Sequence, residues 1–292
     1  MDKMNDLVNI CFMSRHRLER LLTAIKFVRD NTQGINYIIS LLFDDDRESY
    51  DACKLLGYDC YLYSPQQECV MMTNNCFRLT KELGINYFVF LNDDMEVQKD
   101  WLKNALNDFK KTFPDEKGVV SFNSYITNGT RGGDTFCIVG LTTISFIEED
   151  LNGVFFDPTF VHNEGDGEFT YRAMFLDKFK WCQEAMIHHR HPLIDASLFD
   201  ETYKASQIYF ASDLINRNKM FQARGWTERV MTKLILKQKS KKEIFSYYIK
   251  KILKIFFGIK KINSPKITRL NSLDHVDKFL KNLLAEQQKN ES

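Results

Sequence analysis

The sequence predicts an α/β protein built on a mostly parallel, Rossmann-like sheet flanked by helices. Three observations predict it. From Leu7 to Phe113, apolar runs of strand length alternate with segments of helical periodicity. Two of those runs end abruptly in carboxylates: "INYIISLLF" in Asp44, Asp45 and Asp46, and "FVFLN" in Asp93 and Asp94. Finally, 292 residues at 44% hydrophobic content suffice for one sizeable core, or for one domain with an appendage.

The elements follow in order. "LVNICFM" (Leu7 to Met13) reads as a buried strand. "SRHRLERLLTAIKFVRDN" switches to helical spacing, with Leu18, Leu21, Leu22, Ile25 and Val28 on one side. "INYIISLLF" is the second strand, and a short helix around Glu48 to Leu56 stops at Gly57. "DCYLYS" is the third strand, Thr73 to Leu83 a helix stopped by Gly84, and "NYFVFLNDD" the fourth strand. "KDWLKNALNDFKKTF" is helical. After Gly118 the alternation breaks. "GVVSFNSYI" and "FCIVGLTTISFI" are strand-like around a polar, glycine-rich loop, Asn128 to Asp134. "GDGEFTYRAMFLDKF" opens a helix, and "KWCQEAMIHHRHP" is a strand running into histidines. Asp195 to Gly225 is mixed and helical.

Bulk properties remove several classes. A net charge of +1 does not describe a nucleic-acid binder. Seven cysteines, an odd number with no CxxC pair, exclude a disulfide framework or zinc knuckle and fit a reducing, cytoplasmic compartment. The acidic start "MDKMNDLVNI" is unlike a secretory signal. No stretch reaches the roughly 18 uninterrupted apolar residues of a membrane span. The Asn128 sequon is read as loop only.

In open α/β sheets ligands bind beyond the carboxyl ends of the strands. Two ionised carboxylates side by side, as at Asp93 and Asp94, are costly without a compensating positive charge. A divalent cation such as Mg²⁺ or Mn²⁺ supplies it, and would also neutralise a diphosphate. The structural alternative is a helix cap. At Asp44, Asp45 and Asp46 a carboxylate can accept from a base N–H or ribose hydroxyls, against the alternative of a capping turn. Asp166 and Glu168 stand at a loop-to-helix entry, where a carboxylate can take a proton from an attacking hydroxyl or merely complement the helix dipole. Strand alternation puts His189 and His191 on one face and His188 on the other, and an imidazole there can complete a metal shell.

The order of these motifs resembles the family 2 glycosyltransferases of the GT-A fold, over about Val8 to Pro192. "NICFMSRHRLERL" is similar to that family's first strand and helix, with Ser14 and Arg17 at the nucleotide site. "IISLLFDDD" resembles the second strand, whose terminal Asp binds the base. "FVFLNDDMEVQKDWL" resembles the metal motif through Trp101, which implies Asp93 near the ribose and Asp94 on the metal. "EGDGEFTYRA" resembles the motif in which an Asp before an Arg, here Arg172, is the catalytic base. "EAMIHH" resembles the late strand ending in a histidine ligand, His189. The sequence departs from the pattern at Asn92, where a strict Asp-x-Asp would have Asp, and at Gly165, where an acid is common. Asp166 and Glu168 both stay open as the base. The resemblance implies a metal-dependent, inverting transfer of a sugar from a nucleotide-diphospho-sugar to a glycan or lipid-linked acceptor, in cell-surface polysaccharide or lipopolysaccharide assembly.

On this reading residues 1–225 form the catalytic domain and 226–292 a helical, basic, amphipathic extension. On a helical wheel Lys250, Lys251 and Lys254 fall together, with Phe256 on the broad apolar remainder. That pattern fits an anionic membrane surface, hence a cytoplasmic protein peripheral on the inner face of the membrane. Packing on the domain is the alternative. Competing functions are a non-catalytic nucleotide-sugar or glycan-binding module, a nucleotidyltransferase, disfavoured because "SRHRLER" lacks glycine, and a transferase acting on nucleic acid.

Overall fold

The computed structural model describes residues 7–126, 130–131, 136–191 and 198–238. Its strands are β1 (Val8–Ser14), β2 (Tyr37–Asp44), β3 (Asp59–Tyr63), β4 (Tyr87–Asn92), β5 (Met95–Val97), β6 (Val119–Ile126), β7 (Thr130–Arg131), β8 (Gly140–Thr143) and β9 (Phe179–His189). Its helices are α1 (Leu18–Asn31), α2 (Arg47–Leu55), α3 (Glu68–Glu82), α4 (Trp101–Thr112), α5 (Gly165–Phe175), α6 (Glu201–Ser206), α7 (Phe210–Ala223) and α8 (Glu228–Lys237). One sheet runs in the order β3-β2-β1-β4-β8-β6-β9-β5, with β7 on β6. The β3-β2-β1-β4 half is parallel. The other half is mixed: β8 inserts antiparallel between β4 and β6, β6 pairs parallel with β9, and β5 pairs antiparallel with β9.

Strand alternation builds a core on each face. Val8, Ile10 and Phe12 of β1, with Tyr87, Val89 and Leu91 of β4, meet α1 and α4 on one side. Cys11 of β1 and Phe88 and Phe90 of β4 meet α3, α5 and the phenylalanines Phe155 and Phe156 on the other. α1 fits because Leu21, Ala24, Ile25 and Val28 recur at helical spacing and are buried. α8 turns Met231, Leu234 and Ile235 onto the second core. The packed unit thus runs on past Gly225, through the Trp226 ring stacked on Phe175.

Three local expectations change. The strand expected over "FCIVGLTTISFI" is only four residues long, and Phe146–Asp150 is a π-helical turn. Gly140 carries the reason for the close β8–β6 approach: a Cβ there would lie 2.7 Å from the Val120 carbonyl oxygen. Helix α3 starts earlier than expected, at Glu68. The strand into Asp93 and Asp94 breaks there and resumes as β5. Among the described residues, no helix is long and apolar enough to cross a membrane. Lys250, Lys251, Lys254 and Phe256 lie outside the described residues, as does most of the loop from Asn128 to Asp134.

Candidate active site

The carboxyl ends of β1, β2 and β4 open into a cleft whose empty space, open mouth included, is about 620 Å³. Ser14, Arg17, Asp44, Asp93 and Asp94, all expected from the sequence, line it together with Arg15, Glu68, His162 and Tyr203, which were not.

Asp93 and Asp94 occupy the turn between β4 and β5, so backbone pairing on both sides fixes their directions. Asp93 accepts from Ser14 Oγ at 2.7 Å and from Arg17 Nη1 at 3.2 Å. Asp94 Oδ2 accepts from the Tyr203 hydroxyl at 2.5 Å and lies 3.4 Å from His189 Nε2. Asp94 Oδ1 is buried with no hydrogen-bond partner among the described residues. A buried carboxylate oxygen is rarely left unpaired. A carboxylate with one such oxygen, and an imidazole near the other, fits a cation ligand set. The two carboxyls are driven apart. Burial and the neighbouring Asp94 lift Asp93, against Arg17, to about 6. Burial also opposes the Asp94 charge, but His189, Tyr203 and Arg17 outweigh it and hold that carboxyl well below its ordinary value. Burial and Asp94 push the Tyr203 phenol far up, so it remains a donor.

Tyr203 comes from α6, far along the chain. Its ring lies under the Arg17 guanidinium, 4.3 Å from the centroid. Asp200, which caps α6 by accepting from Tyr203 N, receives two Arg17 hydrogen bonds at 2.8 Å. Thr202 Oγ1 donates to the Arg15 carbonyl at 3.1 Å. The start of α6 thus packs against the strand ends. No local motif announces it; an Asp-x-x-Tyr helix start is a capping signal alone.

The triple-aspartate end of β2 separates by role. Asp44 lines the cleft and accepts from Gln67 N, Glu68 N and Arg15 Nη1 at 2.5, 3.1 and 3.3 Å. Asp45, at φ +53°, points outward to Ser64. Asp46 is buried as the α2 cap, accepting from Ser49 N at 3.1 Å and His16 N at 2.6 Å. Only Asp44 of the three lines the cleft.

Asp166 and Glu168 also separate. Glu168 is fully buried and accepts from Arg172 Nε and Nη2 at 2.7 and 2.8 Å, and from Arg224. Both its oxygens are thereby engaged by arginines. Asp166 accepts from its neighbour Gly167 N at 2.8 Å, and burial raises its carboxyl. It lies beside the cleft-lining Cys69, close enough to help raise that thiol, after burial, to about 12. Gly165 starts α5 against Phe156: a Cβ there would lie 2.8 Å from that ring.

Of the histidines, His188 faces away to Glu96 at 3.3 Å, and His191 packs its ring between His189 and Tyr203. Burial and His189 hold His191 down to about 4. Among the described residues Asp108, Cys182 and Glu184 form a separate acidic group on α4 and β9, away from the cleft-lining residues.

No protein-family model and no curated protein matches the sequence. Solved structures do match by shape. GalNAc-T7 with UDP, GalNAc and Mn²⁺ aligns at a TM-score of 0.51 and 11% identity, over 62% of this chain and 42% of that one. A shorter S. aureus TarS chain in complex with UDP aligns at 0.51 and 10% identity, over 74% of this chain and 72% of that one. Against the longer TarS chain, this chain covers 42% of the length. Both are glycosyltransferases of GT-A type. The architecture, with its parallel half and acidic turn after β4, is the GT-A fold.

Proposed function

We propose that the protein is a glycosyltransferase that takes a sugar from a nucleotide-diphospho-sugar and places it on an acceptor hydroxyl with inversion. The observation that carries this is Asp94 at the strand-end cleft of a GT-A sheet: its Oδ1 is buried with no hydrogen-bond partner among the described residues, and its Oδ2 lies 3.4 Å from His189 Nε2. Ligands of the neighbours support the donor class: TarS was solved with UDP and GalNAc-T7 with UDP and Mn²⁺. A divalent cation, Mn²⁺ or Mg²⁺, held by Asp94 and His189 would supply the charge that offsets the leaving diphosphate.

The chain's own residues do the rest. Asp44 accepts from the base, and Asp93, aimed by Ser14 and Arg17, accepts from the ribose. Asp166 takes the acceptor's proton while the acceptor oxygen bonds the anomeric carbon and the carbon–diphosphate bond breaks on the opposite side. One displacement inverts that centre. Its raised carboxyl suits a base better than an ordinary one. Tyr203 and Asp200 screen the site from water and hold Asp94 and Arg17 in place. Membership of family 2, a glycan or lipid-linked acceptor in cell-surface polysaccharide assembly, and a cytoplasmic, membrane-peripheral setting through the basic C-terminal segment belong to the same proposal.

The test is donor hydrolysis across a panel of nucleotide sugars, with Mn²⁺, Mg²⁺ or EDTA. Nucleotide diphosphate released from one donor, and stopped by EDTA and by Asp94→Ala, supports the reading. Full activity in Asp94→Ala ends it. Flotation with anionic liposomes, full chain against a chain ending near Lys233, tests the membrane part; equal behaviour removes it.

A further inference from the structure

The cleft holds four carboxylates, Asp44, Glu68, Asp93 and Asp94, against two guanidiniums. Both guanidiniums are already committed to acids. Arg15 bridges Asp44 and Glu68, and Arg17 bridges Asp93 and Asp200. A diphosphate entering this cleft meets an excess of negative charge. Among the described residues lining it, His162 is the one remaining side chain able to become positive.

His162 is fixed from two directions. Its backbone N–H donates to Asp213 Oδ2 at 2.9 Å, and Asp213 also accepts from Val161 N and Asn163 N at 3.0 and 2.8 Å. Its ring Nδ1 lies 2.9 Å from Glu68 Oε2, and Arg15 Nη1 holds the other Glu68 oxygen at 2.9 Å. Glu68 itself sits at φ +63°, a conformation that non-glycine residues rarely adopt. Burial opposes its charge, but His162 and Arg15 outweigh it and lower the carboxyl. An ionised carboxylate only accepts. The proton of the pair therefore lies on Nδ1, as in carboxylate–histidine pairs elsewhere. Nε2 is left over, makes no hydrogen bond among the described residues, and belongs to a side chain 25% exposed on the cleft wall.

We propose that His162 is a donor-binding residue whose Nε2, aimed by Glu68, donates to the diphosphate of the nucleotide sugar. Phosphate oxygens accept, so Nε2 carries a proton in the complex and the imidazolium bridges Glu68 and the diphosphate. The inference rests on the glycosyltransferase reading and deepens it by naming a second source of positive charge, independent of Asp94.

Isothermal titration tests it, with Mn²⁺ present, on wild type, His162→Ala and His162→Gln. The probes are UDP, GDP, CDP and ADP, then the matching nucleoside of whichever diphosphate wild type binds. Loss of one charge-assisted hydrogen bond corresponds to a roughly 10- to 100-fold weaker diphosphate. The expected result is that loss in His162→Ala, partial recovery in His162→Gln, whose amide can still donate, and unchanged nucleoside affinity. Equal diphosphate affinity in His162→Ala and wild type overturns the inference. So does a parallel loss of diphosphate and nucleoside, which marks a structural role. Should His162→Ala not fold, His162→Leu removes the donor while filling the space and is held to the same outcomes. Wild type that binds no diphosphate overturns the transferase reading itself, and the inference with it.

Discussion

Exchanging Glu168 for Gln and Asp166 for Asn separates scaffold from chemistry within one helical turn. Glu168 is 0% exposed, while its partners Arg172 and Arg224 are 14% and 33% exposed. Removing one member of a buried ion pair costs ~3–5 kcal/mol. Water can reach both arginines, so the lower end, ~3 kcal/mol, applies. At about 2–4 °C per kcal/mol for a chain of this size, Glu168→Gln melts about 6–12 °C below wild type. Asp166 behaves oppositely. Burial raises its carboxyl, and Gly167 N opposes only in part. A raised folded value means its contribution to stability is complete below the unfolded value of ~3.9 and is lost as pH rises through the folded value. Asp166→Asn escapes that loss. It melts at or above wild type at pH 7, and the advantage closes towards pH 4. Its turnover falls ~10²- to 10⁴-fold, the range of a general base. Differential scanning fluorimetry with a coupled nucleotide-release assay reads both. A Glu168→Gln protein with wild-type melting and no turnover would refute the assignment of roles.

Other outcomes follow from the same geometry. Tyr203→Phe removes the donor on Asp94 Oδ2 and destabilises the fold in EDTA by ~1.5–3 kcal/mol, read as a lower melting temperature. Mn²⁺ narrows that gap; an equal deficit with and without Mn²⁺ contradicts the positioning of Asp94 by Tyr203. In Asp213→Asn an amide must meet the N–H groups of His162 and Asn163 if it replaces Oδ2, or that of Val161 if it replaces Oδ1. The expected results are a stability loss of ~3 kcal/mol and faster hydrogen exchange over residues 161–164. Unchanged exchange there would show that Asp213 does not hold this loop. The acid limb of the turnover–pH profile lies above the ordinary carboxylate value and moves in Asp166→Glu; a limb at the ordinary value removes Asp166 as the base.

What the sequence disclosed and what it hid divide along contact range. β1, β2 and β4 were legible because strands buried on both faces read as unbroken apolar runs, and α1 because its buried positions recur at helical spacing. Asp93 and Asp94 stood out because two acids after such a run conflict with burial. The antiparallel insertion of β8 was hidden, since four residues carry too short a pattern and its place depends on pairing with β4 and β6. The triple aspartate could not be sorted from composition: only the cap on α2 and the α3 amides distinguish Asp46 from Asp44. Tyr203, Asp200 and the Glu68–His162 pair were invisible for a similar reason. Each makes its contact across a long stretch of chain, and each residue by itself is an ordinary polar side chain.

The central claim is that Asp94 holds a cation required for the nucleotide diphosphate. Titrating UDP and the other nucleoside diphosphates into wild type and Asp94→Asn, each with Mn²⁺ and with EDTA, tests it most directly. The account predicts binding of one diphosphate by wild type that requires Mn²⁺, and loss of that Mn²⁺-dependent part in an Asp94→Asn protein that still unfolds cooperatively. Binding equally tight in EDTA, or equally Mn²⁺-dependent in Asp94→Asn, would contradict it.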